Sequence, residues 1–166
     1  YHFDDVTFIG GGGLPVGEFS DLTFDSSGVV YTLTGFGGAE DASLQPDPTS
    51  ATNTVVRINR STTAETFAGT VVSTGPSLTV GTVPFSTTNT RMSVRVYSPA
   101  AGSTVRLKLE DAADPTRSVE TETQTTKANA WETLTFDFAN QVPGTAALNL
   151  SYKYNRLIIF FNFGKT

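Results

Sequence analysis

The chain has 166 residues, of which 38% are hydrophobic and 16% are charged, and its formal net charge is −5. A single domain of this length can bury a substantial core without cross-links. The negative charge argues against a nucleic-acid backbone as partner, and no apolar run reaches the roughly 18 residues that a membrane span needs. The lack of cysteine excludes disulfides, thiolate catalysis and zinc–thiolate sites.

Short segments rich in β-forming residues, separated by turn residues, predict strands along the whole chain. Gly69 interrupts one of them in the way that a β-bulge does. No helical periodicity occurs, so we predict one all-β domain, an antiparallel β-sandwich with a jelly-roll topology. The Gly/Pro-rich residues 9–18 are expected to be a linker, and residues 35–41 and 45–48 to be loops. Strands are expected at residues 1–8, 22–25, 29–34, 54–59, 66–73, 91–97, 105–110, 119–125, 131–138 and 156–163.

Two of these strands have the clearest patterns. In residues 131–138, Leu134, Phe136 and Phe138 alternate with polar residues, which is typical of a strand with one dry and one wet face. Residues 156–163 are apolar on both faces, so this strand should lie in the middle of a sheet with both faces covered.

Polar side chains alternate along three consecutive predicted strands and would share one wet face. An antiparallel register with Leu109 opposite Val119 places Lys108 and Arg106 opposite two glutamates. In the same interpretation the strand at residues 91–97 pairs with the strand at residues 105–110, so that its polar side chains lie beside Arg106. The residues of this face either pair with one another as a solvated surface or contact a ligand.

Donors and acceptors beside an aromatic ring suit a sugar, because its hydroxyls need both and its ring faces stack on π surfaces. Trp131, the single tryptophan, either stacks on such a ligand or packs at the rim of the sandwich. Phe36 and Phe67 lie in Gly-flanked segments and are either exposed loop aromatics or core residues. The candidate ligand-binding residues are Arg95, Tyr97, Arg106, Lys108, Glu120, Glu122, Gln124 and Trp131.

The sequence supports catalysis less strongly than it supports ligand binding. Glu120 and Glu122 lie two residues apart on one strand, as the carboxylates of a retaining glycosidase could. The basic residues expected opposite them explain both glutamates without chemistry, and the single histidine, His2, has no evident partner for a triad. We therefore expect a protein that is not an enzyme, with a small glycosidase or lyase as the less favoured alternative.

Carboxylates recur in the N-terminal quarter of the chain. Hard oxygen ligands on short loops suit calcium, which takes 6–8 oxygen ligands in proteins. No EF-hand pattern is present, and ordinary turn carboxylates are the competing interpretation. The members of this acidic set are Asp4, Asp5, Asp25, Glu40, Asp41 and Asp47.

The order of several segments resembles that of the jelly-roll carbohydrate-binding modules appended to secreted bacterial enzymes that degrade polysaccharides. In such modules a strand like residues 3–8 usually comes last, and its carboxylates often help to hold a structural calcium with residues of the first strand. Here it comes first, so residues 1–8 would be the closing strand of a circularly permuted module, or of one cut from a tandem array. The segments that carry the resemblance are residues 3–8, 22–25, 32–41, 46–48, 53–57, 94–98 and 131–138.

The resemblance implies a structural calcium held by Asp4 or Asp5 and by Asp25, with Asp47 and Asn53 as weaker ligands. Such a site requires residues 1–8 to pack beside residues 22–25, either within one chain or by a strand swap between copies. The resemblance also implies a secreted bacterial module that binds polysaccharide and accompanies a catalytic domain or tandem copies, with neither nucleic acid nor membrane as partner.

Two further expectations concern what this module would bind. Arg95, Arg106 and Lys108 would favour anionic or heavily hydroxylated glycans, because the planar fork of arginine suits a carboxylate or sulfate. The alternative from another class is a calcium-stabilised structural repeat of an extracellular adhesin or spacer that binds no sugar.

Overall fold

A computed structural model describes residues 1–10 and 17–166 of the protein. Among these residues the chain forms ten β-strands and one short 3₁₀ turn, Pro76–Leu78. None of the helical structure in this part of the chain is long or apolar enough to cross a membrane. The strands are β1 His2–Ile9, β2 Thr32–Phe36, β3 Asp41–Asp47, β4 Ser50–Asn59, β5 Gly69–Ser73, β6 Arg91–Tyr97, β7 Thr104–Asp111, β8 Asp114–Gln124, β9 Trp131–Asp137 and β10 Arg156–Phe161.

The strands form two five-stranded sheets in which the recorded strand pairs are antiparallel. The first sheet has the order β3-β4-β1-β6-β9, and the second has the order β2-β5-β10-β7-β8. One cluster of buried side chains draws on both sheets and fills the space between them. The predicted all-β antiparallel sandwich is therefore confirmed, and its jelly-roll topology stays a prediction.

The two strands with the clearest sequence patterns behave as their residues dictate. Leu134 and Phe136 of β9 are buried in the core, followed by Phe138 just beyond the strand. β10 lies in the middle of the second sheet, as predicted. Its inward side chains join the main core, whereas Ile158 and Phe160 join a second, smaller cluster on the outer face of the sheet.

Strand β1 lies in the middle of the first sheet, between β4 and β6. Its Val6 exchanges two backbone hydrogen bonds with Leu22, so residues 1–8 pack beside residue 22 within the same chain. Across the core, the ring of Tyr1 stacks on that of Phe161 of β10, with their centroids 4.8 Å apart. The predicted linker at residues 9–18 is described only at its ends, where Ile9 belongs to β1 and Glu18 bridges to Thr82; residues 11–16 lie outside the described residues.

Several local predictions were wrong. Residues 22–25 form no strand, since only Leu22 makes a bridge. Residue 41 and residues 45–47, expected in loops, belong to β3, an edge strand whose outer side tolerates the proline at position 46 because no neighbour needs its missing N–H. Gly69 makes no bulge: it pairs with Phe36 in regular register at the start of β5.

The predicted register between β7 and β8 is confirmed, with Leu109 opposite Val119. The prediction that β6 is the next neighbour of β7 was wrong. β6 pairs with β1 and β9 in the first sheet, whereas β7 pairs with β10 and β8 in the second. The turn at residues 98–103 carries the chain from one sheet to the other, so the single wet face that we expected is divided between the two outer faces of the sandwich.

Candidate functional site

The outer face of the second sheet carries an open groove with a cavity of about 390 Å³. Phenylalanine rings form much of its lining, and ionic side chains of β7 and β8 form the rest. The lining residues are Phe36, Phe67, Arg106, Lys108, Glu110, Glu120, Thr145, Ile158, Phe160 and Phe163.

The floor of the groove comes from β10, because this strand is apolar on its outer face as well as on its inner face. Ile158 and Phe160 project outward and are each only 6% exposed. The ring of Phe160 meets Phe36 edge-on at 5.9 Å between centroids and Phe163 at 5.4 Å. This edge-to-face arrangement is the one that aromatic quadrupoles prefer, so the floor is well ordered.

Gly69 explains why the rings fit so closely over β5. A Cβ atom at this position would lie 2.5 Å from Cδ1 of Phe160 and 3.0 Å from Cζ of Phe36. The glycine therefore makes room for the two rings, and this packing accounts for the residue that we had interpreted as the sign of a bulge.

Phe67 forms one wall of the groove and is 52% exposed. Backbone hydrogen bonds hold the segment that carries it on both sides. The N–H of Glu65 donates to the carbonyl of Gly37 at 2.7 Å, and the N–H of Gly164 donates to the carbonyl of Thr66 at 2.9 Å. An exposed aromatic ring on a braced segment can contact a ligand at little entropic cost, because its backbone is already ordered.

Arg106 lies between the apolar floor and the acidic residues of β8. Its guanidinium carbon is 3.6 Å from the centroid of the Phe163 ring. Its Nε and Nη2 atoms donate to one carboxylate oxygen of Glu122 at 2.9 and 2.7 Å, and Nη1 donates to Glu120 at 2.9 Å. The side chain is 11% exposed.

Lys108 lies between two further carboxylates. Its Nζ atom is 3.0 Å from Glu110 and 3.8 Å from Glu120. The cross-strand ion pairs expected from the register therefore form. Their presence does not exclude a ligand, because each carboxylate retains lone pairs that can accept further hydrogen bonds.

The remaining candidates lie elsewhere. Gln124 is at the end of β8, opposite Thr104, and does not line the groove. Arg95, Tyr97 and Trp131 lie on the outer face of the first sheet, on the opposite side of the molecule's core. The sequence thus placed in one site residues that the fold divides between two faces.

On the first sheet, Trp131 is held by its neighbours. The guanidinium carbon of Arg95 is 4.0 Å from the centroid of its ring, and Tyr97 approaches edge-on at 5.5 Å. Its indole N–H donates to Asp47 at 3.0 Å. With Arg95 over the ring and the polar atom engaged, Trp131 packs at the rim of the sandwich, one of the two roles considered for it.

The predicted calcium ligands come together only in part. The Asn53 amide nitrogen donates to Asp4 at 2.9 Å and to Asp47 at 3.1 Å. Arg95 donates to the same two carboxylate oxygens at 3.1 and 3.3 Å. Asp25 instead accepts from the backbone N–H of Thr54 at 2.9 Å.

These residues, as they are arranged, do not fit a calcium ion. Calcium needs oxygen ligands directed at a common point, but here the N–H groups of Arg95 and Asn53 point at the carboxylate oxygens of Asp4 and Asp47 and occupy them. Asp5 is exposed and contributes only its backbone to Asp4, at 2.9 Å. Residues 1–10 and 17–166 contain no group of three or more acidic, histidine or cysteine side chains arranged to hold a metal.

Sequence reasoning missed most of the groove floor. The apolar outer face of residues 156–163 indicated that something covers this strand, but not that Phe163 and Phe36 leave room above it. Glu110 and Thr145 carried no signal. Thr145 reaches the groove because the backbone N–H of Val142 donates to the backbone carbonyl of Glu120 at 2.9 Å and ties the long segment after β9 to β8.

No protein-family model, curated protein or solved structure matches the chain.

Proposed function

We propose that the protein is a non-catalytic polysaccharide-binding module, and that the glycan lies in the groove on the outer face of the second sheet. The observation that carries this proposal is the combination of an exposed ring, Phe67, and an ordered aromatic floor with hydrogen-bonding side chains along one side. A sugar offers a C–H face to aromatic rings and hydroxyls to polar groups, and the groove offers both kinds of partner.

The state of the two glutamates supports a binding role rather than hydrolysis. Glycoside hydrolysis needs one carboxyl group free to give a proton and another free to attack or to activate water. Glu120 and Glu122 are instead both bound to Arg106, and Glu120 also faces Lys108. A protein arranged in this way holds a glycan without cleaving it.

The resemblance to modules of secreted bacterial enzymes extends the proposal. The module would act outside the cell and keep an attached polysaccharide-degrading domain close to its substrate. An open groove gives modest affinity, so tandem copies would raise retention through effective concentration rather than through new contacts.

Affinity electrophoresis of the purified protein in gels that contain plant or algal polysaccharides tests this function. We expect retardation by at least one polysaccharide. Phe67→Ala should weaken binding about 3- to 10-fold, since an aromatic contact is worth about 0.5–1.5 kcal/mol. Leu150→Ala is the matched control: Leu150 is 47% exposed but does not line the groove, so this variant should bind like the wild type.

Three results would count against the proposal. Failure of the whole panel to retard the folded protein would favour the structural spacer. Equal loss of binding in Phe67→Ala and Leu150→Ala would place the glycan elsewhere. Release of reducing ends or of unsaturated sugars would make the protein an enzyme.

A further inference from the structure

We infer that the groove selects uncharged polysaccharides and discriminates against sulfated or carboxylated ones. This inference rests on the proposed function and concerns the substrate class of the same groove. It runs against what the arginine and lysine content of the sequence suggested, and it comes from the way in which those charges are paired.

The charged side chains on the polar side of the groove belong to one continuous chain of alternating charges across β10, β7 and β8, whose two end members, Arg156 and Glu122, do not line the groove themselves. Each neighbouring pair in this chain lies between 2.7 and 3.8 Å apart. Three positive and three negative side chains take part, so the chain has no net charge. In order, its members are Arg156, Glu110, Lys108, Glu120, Arg106 and Glu122.

Arg106 is the least exposed of the three basic members. Its side chain is 11% exposed, against 17% for Arg156 and 24% for Lys108, whereas that of its partner Glu122 at the end of the chain is 37% exposed. A ligand that approaches Arg106 from this end meets the carboxylate of Glu122 before the guanidinium, and that carboxylate repels a sulfate or another carboxylate. Lys108, the most exposed basic member, lies 3.0 Å from Glu110 and 3.8 Å from Glu120, so carboxylates balance its charge as well.

Anionic binding would also require an existing interaction to break. The fork of Arg106 is already used by Glu122, through two hydrogen bonds to one oxygen, and by Glu120. An anionic sugar could pair with Arg106 only by displacing one of these carboxylates, which would leave that carboxylate without its partner. The aromatic floor and Phe67 gain nothing from ligand charge. Selection of neutral chains follows from both effects.

The test compares each uncharged polysaccharide that is bound in gels with its own carboxymethylated and sulfated derivatives. The wild type should bind the derivatives at least about tenfold more weakly. Its binding to the parent chain should not change with salt, because ion pairing with the ligand contributes nothing.

Glu122→Gln frees part of Arg106 and should raise the ratio of binding to the charged derivatives over binding to the parent chain about 3- to 10-fold. Glu18→Gln is the matched control, since it makes the same change in net charge away from the groove, and it should leave the ratio between parent and derivative as in the wild type. Thermal melting confirms that both variants are folded.

The outcomes separate this inference from the proposed function. Binding that depends on Phe67 but is equal or tighter for the charged derivatives, and that weakens in salt, overturns the inference alone. A Glu122→Gln variant with an unchanged ratio also overturns it. Absence of binding to both parent and derivatives overturns the proposed function and the inference together.

Discussion

On the outer face of the first sheet, Arg95 connects two carboxylates and an aromatic ring. Its guanidinium bonds to Asp4 and Asp47, which are almost fully buried, and it covers the ring of Trp131. The pKa values of these two carboxylates shift in opposite directions, because burial dominates at one and hydrogen bonds dominate at the other. Burial raises the pKa of Asp4.

For Asp47, burial also acts to raise the pKa, but hydrogen bonds outweigh it. Thr49 donates from its backbone and its hydroxyl, and Trp131 and Asn53 donate as well. These donors hold the pKa of Asp47 well below its ordinary value of 3.8. The two carboxylates of one network therefore respond to pH with opposite sign.

Matched Asp→Asn variants test this difference. Charged Asp47 stabilises the fold above its unfolded pKa, so the loss of stability in Asp47→Asn should be large at pH 7 and shrink as the pH falls below about 4. Asp4 has a raised pKa, so its charged form is disfavoured in the fold. The wild type should therefore gain stability relative to Asp4→Asn as the pH falls from neutral through that raised pKa. Urea denaturation across this pH range measures both differences.

A pH dependence of the same sign in the two variants would contradict this account of the network. The same unfolding curves in excess calcium and in a chelator should superimpose, because donors already occupy the carboxylates of Asp4 and Asp47. Stabilisation by calcium that disappears in both Asp→Asn variants would instead restore the metal site implied by the resemblance.

At the scale of strands, the sequence predicted best where side chains decide the register. Alternation and opposite charges placed Leu109 opposite Val119, and apolar residues on both faces placed β10 in the middle of a sheet. The prediction failed for β3, because an edge strand with one covered face needs little hydrophobic pattern. It also failed at Gly69. Glycine is required there by the close ring of Phe160, which is far away in the sequence, and not by a local kink.

Gly69→Ala tests how strictly the floor of the groove is packed. The new methyl group must push the rings of Phe160 and Phe36 outward, and overpacking of this kind costs about 1–3 kcal/mol of stability. Because the same rings form the floor, glycan binding should weaken as well. Urea unfolding and affinity electrophoresis on the same samples measure the two effects.

Gly75→Ala is the control for this substitution. A Cβ atom at Gly75 approaches only the hydroxyl of Thr79, at 3.0 Å, and lies away from the groove. This variant should bind as the wild type does, with a smaller change in stability. If Gly69→Ala kept the stability and the binding of the wild type, the rings of Phe160 and Phe36 would be free to move aside. The floor would then be less ordered than its edge-to-face contacts imply.

At the scale of the whole molecule, the sequence could not say which strands share a sheet. A turn at residues 98–103 fits a hairpin and a crossing between sheets equally well, since both reverse the chain. The fold takes the crossing, which separates Arg95, Tyr97 and Trp131 from Arg106 and its partners. Of the candidate residues, Arg106, Lys108 and Glu120 line the groove, whereas the first three lie on the other outer face of the sandwich.

The two sheets also share one core. β1 and β10 are the central strands of their sheets, and Phe3 of β1 lies 6.0 Å from Phe161 of β10 between ring centroids. Phe3 is fully buried and also meets Phe24 edge-on at 5.4 Å. Loss of this side chain removes contacts from both layers at once.

Phe3→Ala should therefore lower the free energy of unfolding by about 3–5 kcal/mol, the usual cost of emptying a buried phenylalanine site. The two layers should still unfold together, because most of the buried side chains of both belong to one shared core. Trp131 fluorescence, which reports on the first sheet, and far-UV circular dichroism, which reports on both, should give the same midpoint in urea for the wild type and for the variant.

Phe67→Ala is the control and should stay within about 0.5 kcal/mol of the wild type, because its ring is half exposed. A fluorescence midpoint in Phe3→Ala that falls well below the circular dichroism midpoint would show that the first sheet can unfold while the second remains, and that the groove can persist without β1.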